Sequence, residues 1–531
     1  MVLDQEVSAR LPEHVRALLV PSTYQHPVQD IKLIQTHISW VVLAGDHAYK
    51  LKKPVNLGFL DFTSLEARKR YCTEEVRLNS RTCATLYYGV VSISHDGQRF
   101  RVGGPGEVLD YAVHMRRLPP ARVLANLLDA GAVTHAMLGR LVWKIARFHA
   151  SAARGKRVRE AGGYATMVAN WASNLAEIAP FIGRTLTSSQ FDAIHSYADA
   201  FLAEERDLLL SREREGRVRD GHGDLRADAI AFDGGSPDGV CIFDCLEFDE
   251  RLRCADTGLD IAFLAMDLHR RGYPEFEDVV LSLYSAAAAD KTLALVSGLF
   301  RAYRAVIRGK VAGILMDQEG VGLEQRRAAE AESRHHFELA ASYRRANSPP
   351  RLLLVMGLSG SGKSLLAGAL AHRIGAVLLS TDILRKEIAG EPPGRGRPVA
   401  VDSERYSPEN RARVYDQMTR QAEEFLSEGR AVVLDGTYLE AAQRAPILAL
   451  ARRAGVPLLV VECHAPDDVI KARQEGRESE PWTPSEATWE VYLAQKARYE
   501  PPDDVPPAWR LSIDTSTGLL REIEAVLERL R

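Results

Sequence analysis

The stretch Gly357–Ser364, GLSGSGKS, has the spacing G-x-x-x-x-G-K-S, and few patterns are as specific about their chemistry. The glycines allow successive backbone N–H groups to close around phosphate oxygens at a helix N-terminus, where the helix dipole favours an anion. Gly357, Ser359, Gly360, Ser361 and Gly362 form the cradle, Lys363 reaches the terminal phosphates, and the Ser364 hydroxyl is placed to ligate Mg²⁺. The flanks agree with this reading. LLLVM before the motif reads as a buried strand, and LLAGALAHRI after it reads as a helix. The pattern implies NTP binding and leaves open what is done with the NTP.

Further residues suggest an answer. LLSTDILRKE brings Asp382 to the end of a second strand, with Arg385 one helical turn later. A carboxylate there could take the proton of an acceptor hydroxyl, and Arg385 could grip an acidic group on the acceptor. The plainer alternative is an N-cap aspartate with a solvated arginine. AVVLDGTY ends another strand at Asp435, beside the expected Mg²⁺ position. Arg473 and Arg477, one turn apart in KARQEGRESE, either form a lid over the transferring phosphoryl group or decorate an exposed helix face.

Through GLSGSGKS, TDILR, LDGTY and RQEGR, residues 350 to 531 resemble small P-loop kinases of the group containing polynucleotide kinases and zeta-type toxins. The resemblance implies ATP and Mg²⁺ as cofactors, Asp382 as general base, and Arg473 and Arg477 as phosphate-binding lid residues. No arginine-finger signature of a mechanical ATPase accompanies the loop.

The first half carries a second constellation around HGDLRADAI, residues 222 to 230. Upstream, Lys50 and Lys52 alternate on one face of the strand HAYKLKKPV, and the helix SLEARKRYCTEEVRLN offers Glu75, with Glu66 and Glu74 as neighbours. Downstream, VCIFDCLEFDE places Asp244 after an apolar strand. A strand lysine paired to a helix glutamate, followed by two loop aspartates, is the order used by protein kinases. Taken singly, such lysines and glutamates are ordinary surface residues. Asp256 and Asp260, in ADTGLDIAFLAMDL, read as a cap and a structural anchor.

In this order, residues 30 to 345 resemble the aminoglycoside phosphotransferase family, and the whole chain resembles its bacterial branch fused to a P-loop kinase. The resemblance implies a bilobal α+β kinase-like domain that phosphorylates small-molecule hydroxyls. It makes Asp224 the base, Asp244 a metal ligand, Lys50 the phosphate-binding lysine, and Met115 part of the hinge against which adenine lies. One departure stands out. The family's metal-binding asparagine is replaced by Ala229, whose methyl group cannot hold a hard cation. Asp228 is the one neighbouring carboxylate that could substitute.

These sites need elements to hold them. The 531 residues suffice for two to four domains, and 46% hydrophobic with 26% charged residues is ordinary for a globular chain. Residues 31 to 54 read as a hairpin turning at Gly45 and Asp46, with a helix at about 63 to 82 and strands near 86 to 92 and 108 to 116. Helical periodicity fills most of 120 to 345, and RRANSPPR at 344 to 351 marks a boundary. The expected domains are 1–118, a kinase-like N-lobe; 119–346, its helical C-lobe; and 347–531, an α/β P-loop domain with a parallel sheet. Six scattered cysteines read as buried residues and not as a metal site, including Cys241 and Cys245. The opening segment lacks a signal-peptide core, and no apolar run spans a bilayer, so a cytoplasmic protein is expected. A net charge of −3 disfavours long nucleic acid and leaves a small or terminal hydroxyl acceptor, anionic by the arginines. Two other readings stay open: a catalytically silent N-terminal binding module, and a nucleotide switch without acceptor.

Overall fold

A computed structural model describes residues 11–36, 38–56, 58, 60–236, 238–318, 321–343, 349–391, 407–478 and 488–531, without the side chains of Arg477 and Glu478. The chain divides into two compact units. The first comprises residues 1–133, 152–162 and 218–255, and the second comprises 134–151, 163–217 and 256–531.

The first unit is built on a six-stranded antiparallel sheet in the order β1-β2-β3-β6-β4-β5. Its strands are β1 (Ile31–Gln35), β2 (Ser39–Ala44), β3 (His47–Lys52), β4 (Tyr87–His95), β5 (Phe100–Val102) and β6 (Glu107–Arg116). The run read as one strand, IKLIQTHISWVVLAG, is two. It breaks after Gln35, and Ile31 pairs with Ala44 across the resulting hairpin. Thr36 makes the turn, its Oγ1 accepting from Ser39 N at 3.0 Å, a local side-chain bond that strand periodicity does not reveal. The turn at Gly45 and Asp46 forms as expected, with Gly45 at φ +58°. β5 was not anticipated.

Alternation along β3 sends Tyr49 and Leu51 into a core with Trp40, Val42 and Ala44, and leaves Lys50 and Lys52 on the opposite face. Helix α1 (Leu65–Cys83) starts where Ser64 Oγ accepts from Ala67 N, and its buried residues include Glu75. The strands β7 (Val218–Asp220), β8 (Ile230–Ala231) and β9 (Cys241–Ile242) frame the HGDL loop, with β8 and β9 antiparallel, and β10 (Cys254–Asp256) pairs with β7. Cys245 is free and buried, as expected, but Cys241 forms a disulfide with Cys83. At a sequence separation of 158, no spacing rule could have paired the two.

The second unit joins helices to a five-stranded parallel sheet. The helices needed below are α2 (Thr257–Arg270), α3 (Pro274–Ala287) and α4 (Leu293–Asp317). Asp256 caps α2 by accepting from Gly258 N, and Asp260 is buried against His149, so both read correctly as structural. The sheet runs in the order β12-β13-β11-β14-β15. It is formed by β11 (Leu352–Met356), β12 (Val377–Ser380), β13 (Val432–Gly436), β14 (Leu458–His464) and β15 (Arg510–Asp514). Every residue of β11 and β12 is buried, which is why they read as unbroken apolar runs. β15, RLSID, is polar at the sheet edge and was not foreseen. The expected boundary at 344–351 falls partly outside the described residues.

The helix after the phosphate loop, α5 (Lys363–Ile374), packs on the other helices as well as on the sheet. A Cβ on Gly368 would lie 2.7 Å from Ser282 Cβ, so only glycine permits this approach to α3. Arg373 donates to both oxygens of Asp278 at 3.0 and 2.7 Å. His372 is buried between Ser285 Oγ (3.0 Å) and Ser297 Oγ (3.1 Å). Burial, helped by Arg301, lowers the His372 pKa to about 3. Because that lies below the unfolded value, neutral His372 stabilises the fold above pH ~6.5, and the contribution is lost as pH falls toward 3. In urea titrations from pH 6.5 to 4, wild type is expected to lose stability faster than His372→Gln, by up to ~1.4 kcal/mol per pH unit.

Candidate functional site

Two sites emerge, one in each unit. In the second, the phosphate loop lies between β11 and α5. Gly357 adopts φ +148°, and a Cβ there would meet Cys463 O at 2.3 Å, so the loop passes against β14 with no room for a side chain. Gly360 and Gly362 follow at φ +89° and +85°. Ser364 falls in the first turn of α5, immediately after Lys363.

Around the loop, the parallel register sets Ser380 opposite Asp435. Asp435 is buried; its Oδ2 accepts from Ser380 Oγ at 3.0 Å, and its Oδ1 has no partner among the described residues. Burial pushes its carboxyl up, against the opposing pull of Lys363 and the Ser364 hydroxyl. Asp382 sits in the first turn of α6 (Thr381–Ile388), past the end of β12 and not at its N-cap, which is Ser380. Arg385 Nη1 donates to Asp382 Oδ1 at 2.8 Å. Burial would raise the Asp382 carboxyl, but Arg385 and Lys363 outweigh it and hold it low, so it is ionised at neutral pH. Past β13, Tyr438 takes φ +44°, a conformation costly for a bulky residue and frequent near working sites.

Arg473 lies in α7 (Asp467–Glu478), where its guanidinium reaches Gly360 O at 3.3 Å and Thr515 O at 2.6 Å. Arg477 lies in the same helix, with its side chain outside the described residues. Sequence reasoning missed three residues on the loop: Thr515 after β15, Gln474 in α7, and Gln495 in α8 (Trp489–Arg498).

Ser364 and Asp435 present hard oxygens next to a phosphate cradle, one of them a buried carboxylate oxygen without a donor. This set fits Mg²⁺ shared with nucleotide phosphates.

In the first unit, the expected lysine–glutamate pair is doubled. Lys50 Nζ lies 2.9 Å from Glu75 Oε1 and 2.6 Å from Asp244 Oδ1. Lys52, wholly buried, contacts Glu75 Oε2 at 2.6 Å and also Glu247. The Lys50 ammonium holds the Asp244 carboxyl well below the usual range, whereas burial pushes Glu247 up. Asp244 adopts φ +62°, rare for a residue other than glycine.

The HGDL loop is internally paired. His222 Nε2 lies 3.0 Å from Phe243 O, and its Nδ1 accepts from Asp224 N at 3.3 Å, which places the ring proton on Nε2. Arg226 donates to both oxygens of Asp224 at 2.9 Å and to Asp228 at 3.2 Å. Ala229 is buried in the following turn. Met115 is on β6, opposite Ala48 of β3. Among the described residues no group of three or more His, Cys, Asp or Glu is placed to hold a metal ion. Here the carboxylates meet cationic side chains.

Comparison with known proteins bears on both halves. The family described as AAA domain (AAA_33) matches residues 352–502. The uncharacterized protein Rv2004c of Mycobacterium tuberculosis is 34% identical over 476 residues, covering 89% of this chain and 91% of its own length. The chain belongs to its family. A Mycobacterium bovis protein in that family aligns with the same identity and coverage. Among solved structures, a choline/ethanolamine kinase family protein from Mesorhizobium loti is 13% identical with TM-score 0.35, covering 64% of this chain and 99% of its own. A sugar kinase from Janibacter is 21% identical with TM-score 0.27, covering 34% and 95%. The AAA-domain match falls on the part of the chain that holds the five-stranded parallel sheet.

The buried charge cluster gives a testable expectation. Glu247→Ala leaves Lys52 with Glu75 alone, and losing one partner of a buried pair is expected to destabilise by about 3–5 kcal/mol, read from the urea midpoint.

Proposed function

We propose that the chain is an ATP- and Mg²⁺-dependent phosphotransferase whose working site is the P-loop site, acting on a hydroxyl of a small anionic molecule or on a terminal hydroxyl. The observation that carries this reading is the buried Asp435 with its unpartnered Oδ1, next to Lys363, Ser364 and an ionised Asp382. A phosphate loop that served only as a switch would not need a second carboxylate held ionised by Lys363 and Arg385.

In this reading the loop N–H groups and Lys363 hold the β- and γ-phosphates, and Ser364 with Asp435 holds the metal. Bound there, Mg²⁺ would neutralise phosphate charge and align the transferred group. Asp382 accepts the proton of the acceptor hydroxyl as its oxygen bonds to the γ-phosphorus and the bond to the β-phosphate oxygen breaks, releasing ADP. Arg385 orients Asp382 and faces an anionic group on the acceptor. Arg477 is the candidate to cover the phosphates, while Arg473 is engaged by Gly360 O and Thr515 O.

A second reading concerns the first unit, which we take as a non-catalytic binding module. It is supported by the pairing of Arg226 with Asp224 and Asp228, of Lys50 with Asp244, and by Ala229 at the metal-ligand position. A small molecule or a nucleic-acid end suits the −3 net charge better than a long polynucleotide.

Hydroxyl acceptors, phosphorylated sugars and oligonucleotide ends among them, are to be screened with labelled ATP. Lys363→Ala is expected to abolish transfer, Asp382→Asn to slow it by about 10²–10⁴-fold, and Asp224→Ala to leave it within twofold. Transfer that survives Lys363→Ala but is lost in Asp224→Ala would move the working site to the first unit.

A further inference from the structure

We infer that Gln474, Arg473 and Thr515 are positioning residues that pin three successive carbonyls of the phosphate loop, while Gln495 takes the Ser359 N–H. The inference rests on the reading of GLSGSGKS as a nucleotide site.

The geometry is consecutive. Ser359 O accepts from Gln474 Nε2 at 3.2 Å, Gly360 O from Arg473 Nη1 at 3.3 Å, and Ser361 O from Thr515 Oγ1 at 2.5 Å. In a planar trans peptide, the C=O of one residue and the N–H of the next point in opposite directions. Drawing these three carbonyls outward therefore aims the N–H groups of Gly360, Ser361 and Gly362 toward the other side, where the phosphates bind. Ser361 N is used within the loop, donating to Leu358 O at 3.1 Å, so Gly360 and Gly362 carry the effect.

The pins are tightly built. Gln474 is 2% exposed, and its Oε1 is buried without a partner among the described residues, a cost tolerated for the sake of the Nε2 bond. A Cβ on Gly360 would lie 2.8 Å from Ile470 Cγ2 and 3.1 Å from Gln474 Nε2, so α7 packs directly on the loop. A Cβ on Gly362 would lie 3.0 Å from Thr515 Oγ1. From α8, Gln495 Oε1 accepts from Ser359 N at 2.8 Å, fixing the start of the same stretch. Tyr492 OH and Lys496 Nζ, each bonded to Asp467 at 2.7 and 2.6 Å, fasten α8 to the first turn of α7. The loop is thus shaped before nucleotide arrives, and the ordering cost of binding is correspondingly reduced.

The test uses the full chain with Gln474→Met, Thr515→Val and Gln495→Met, which keep volume and remove the bonding group. Affinities for MgATP and MgADP are measured by calorimetry, with the thermal midpoint and hydrogen exchange of the 357–364 peptide. Each variant is expected to weaken both nucleotides about fivefold, the worth of one hydrogen bond. Exchange in the free protein should accelerate and be suppressed again by saturating ADP, while the thermal midpoint stays within about 2 °C. Unchanged affinities, or a falling midpoint with unchanged affinities, would overturn the inference. So would loss of ATP binding alone, because these side chains would then act on the γ-phosphate itself. If wild type binds neither nucleotide, or Lys363→Ala binds like wild type, the nucleotide-site reading fails and takes the inference with it.

Discussion

Both ends of α5 are spoken for. Its N-terminus must present N–H groups to phosphate, and its C-terminal turn carries His372 and Arg373 into bonds with Ser285, Ser297 and Asp278. Between them, Gly368 lets the helix lie against α3 at a distance no other residue allows. Leu295 of α4 joins the same apolar cluster as β11, β13 and β14. A helix held along its length has little freedom to tilt, and the loop at its head inherits that rigidity. The carbonyl pins complete the arrangement from the opposite flank.

In the first unit the same residue types are paired with one another. Lys50, Lys52, Glu75 and Glu247 form a largely buried network that reaches the exposed Asp244, and each charge in it already has a partner. A ligand entering it has to displace an ion pair, and an ion pair taken from water is expensive to leave half made. Arg226 does the same to Asp224 and Asp228. The motif has kept its vocabulary of charges while its oxygens are turned toward arginine and lysine.

How much of this could be read in the sequence depended on whether geometry forces a residue type. The glycines of the phosphate loop were legible because positive φ and close backbone approach demand them. The apolar strands β11, β12 and β13 were legible because they are covered on both faces, and β15 was not because its edge position tolerates RLSID. Lys50, Glu75, Asp224 and Asp244 do fall in one unit, yet nothing in the spacing disclosed that Lys52 is the more deeply buried lysine. Gln474, Thr515 and Gln495 escaped notice altogether. Glutamine and threonine are common at helix surfaces and strand ends, and only the fold brings them to three carbonyls in a row. The Cys83–Cys241 bond and the Gly368 contact were hidden for the same reason, since each depends on a partner far away in the chain.

Gly368 has a wider meaning. On an exposed helix flank, glycine is disfavoured relative to a better helix former. Here the flank is moulded to α3, and α3 to it. A recombination that carried the P-loop segment to another gene would expose an ill-fitting face, and one that removed it would bare its counterpart. The helix and α3 thus form one interface that neither piece could keep without the other.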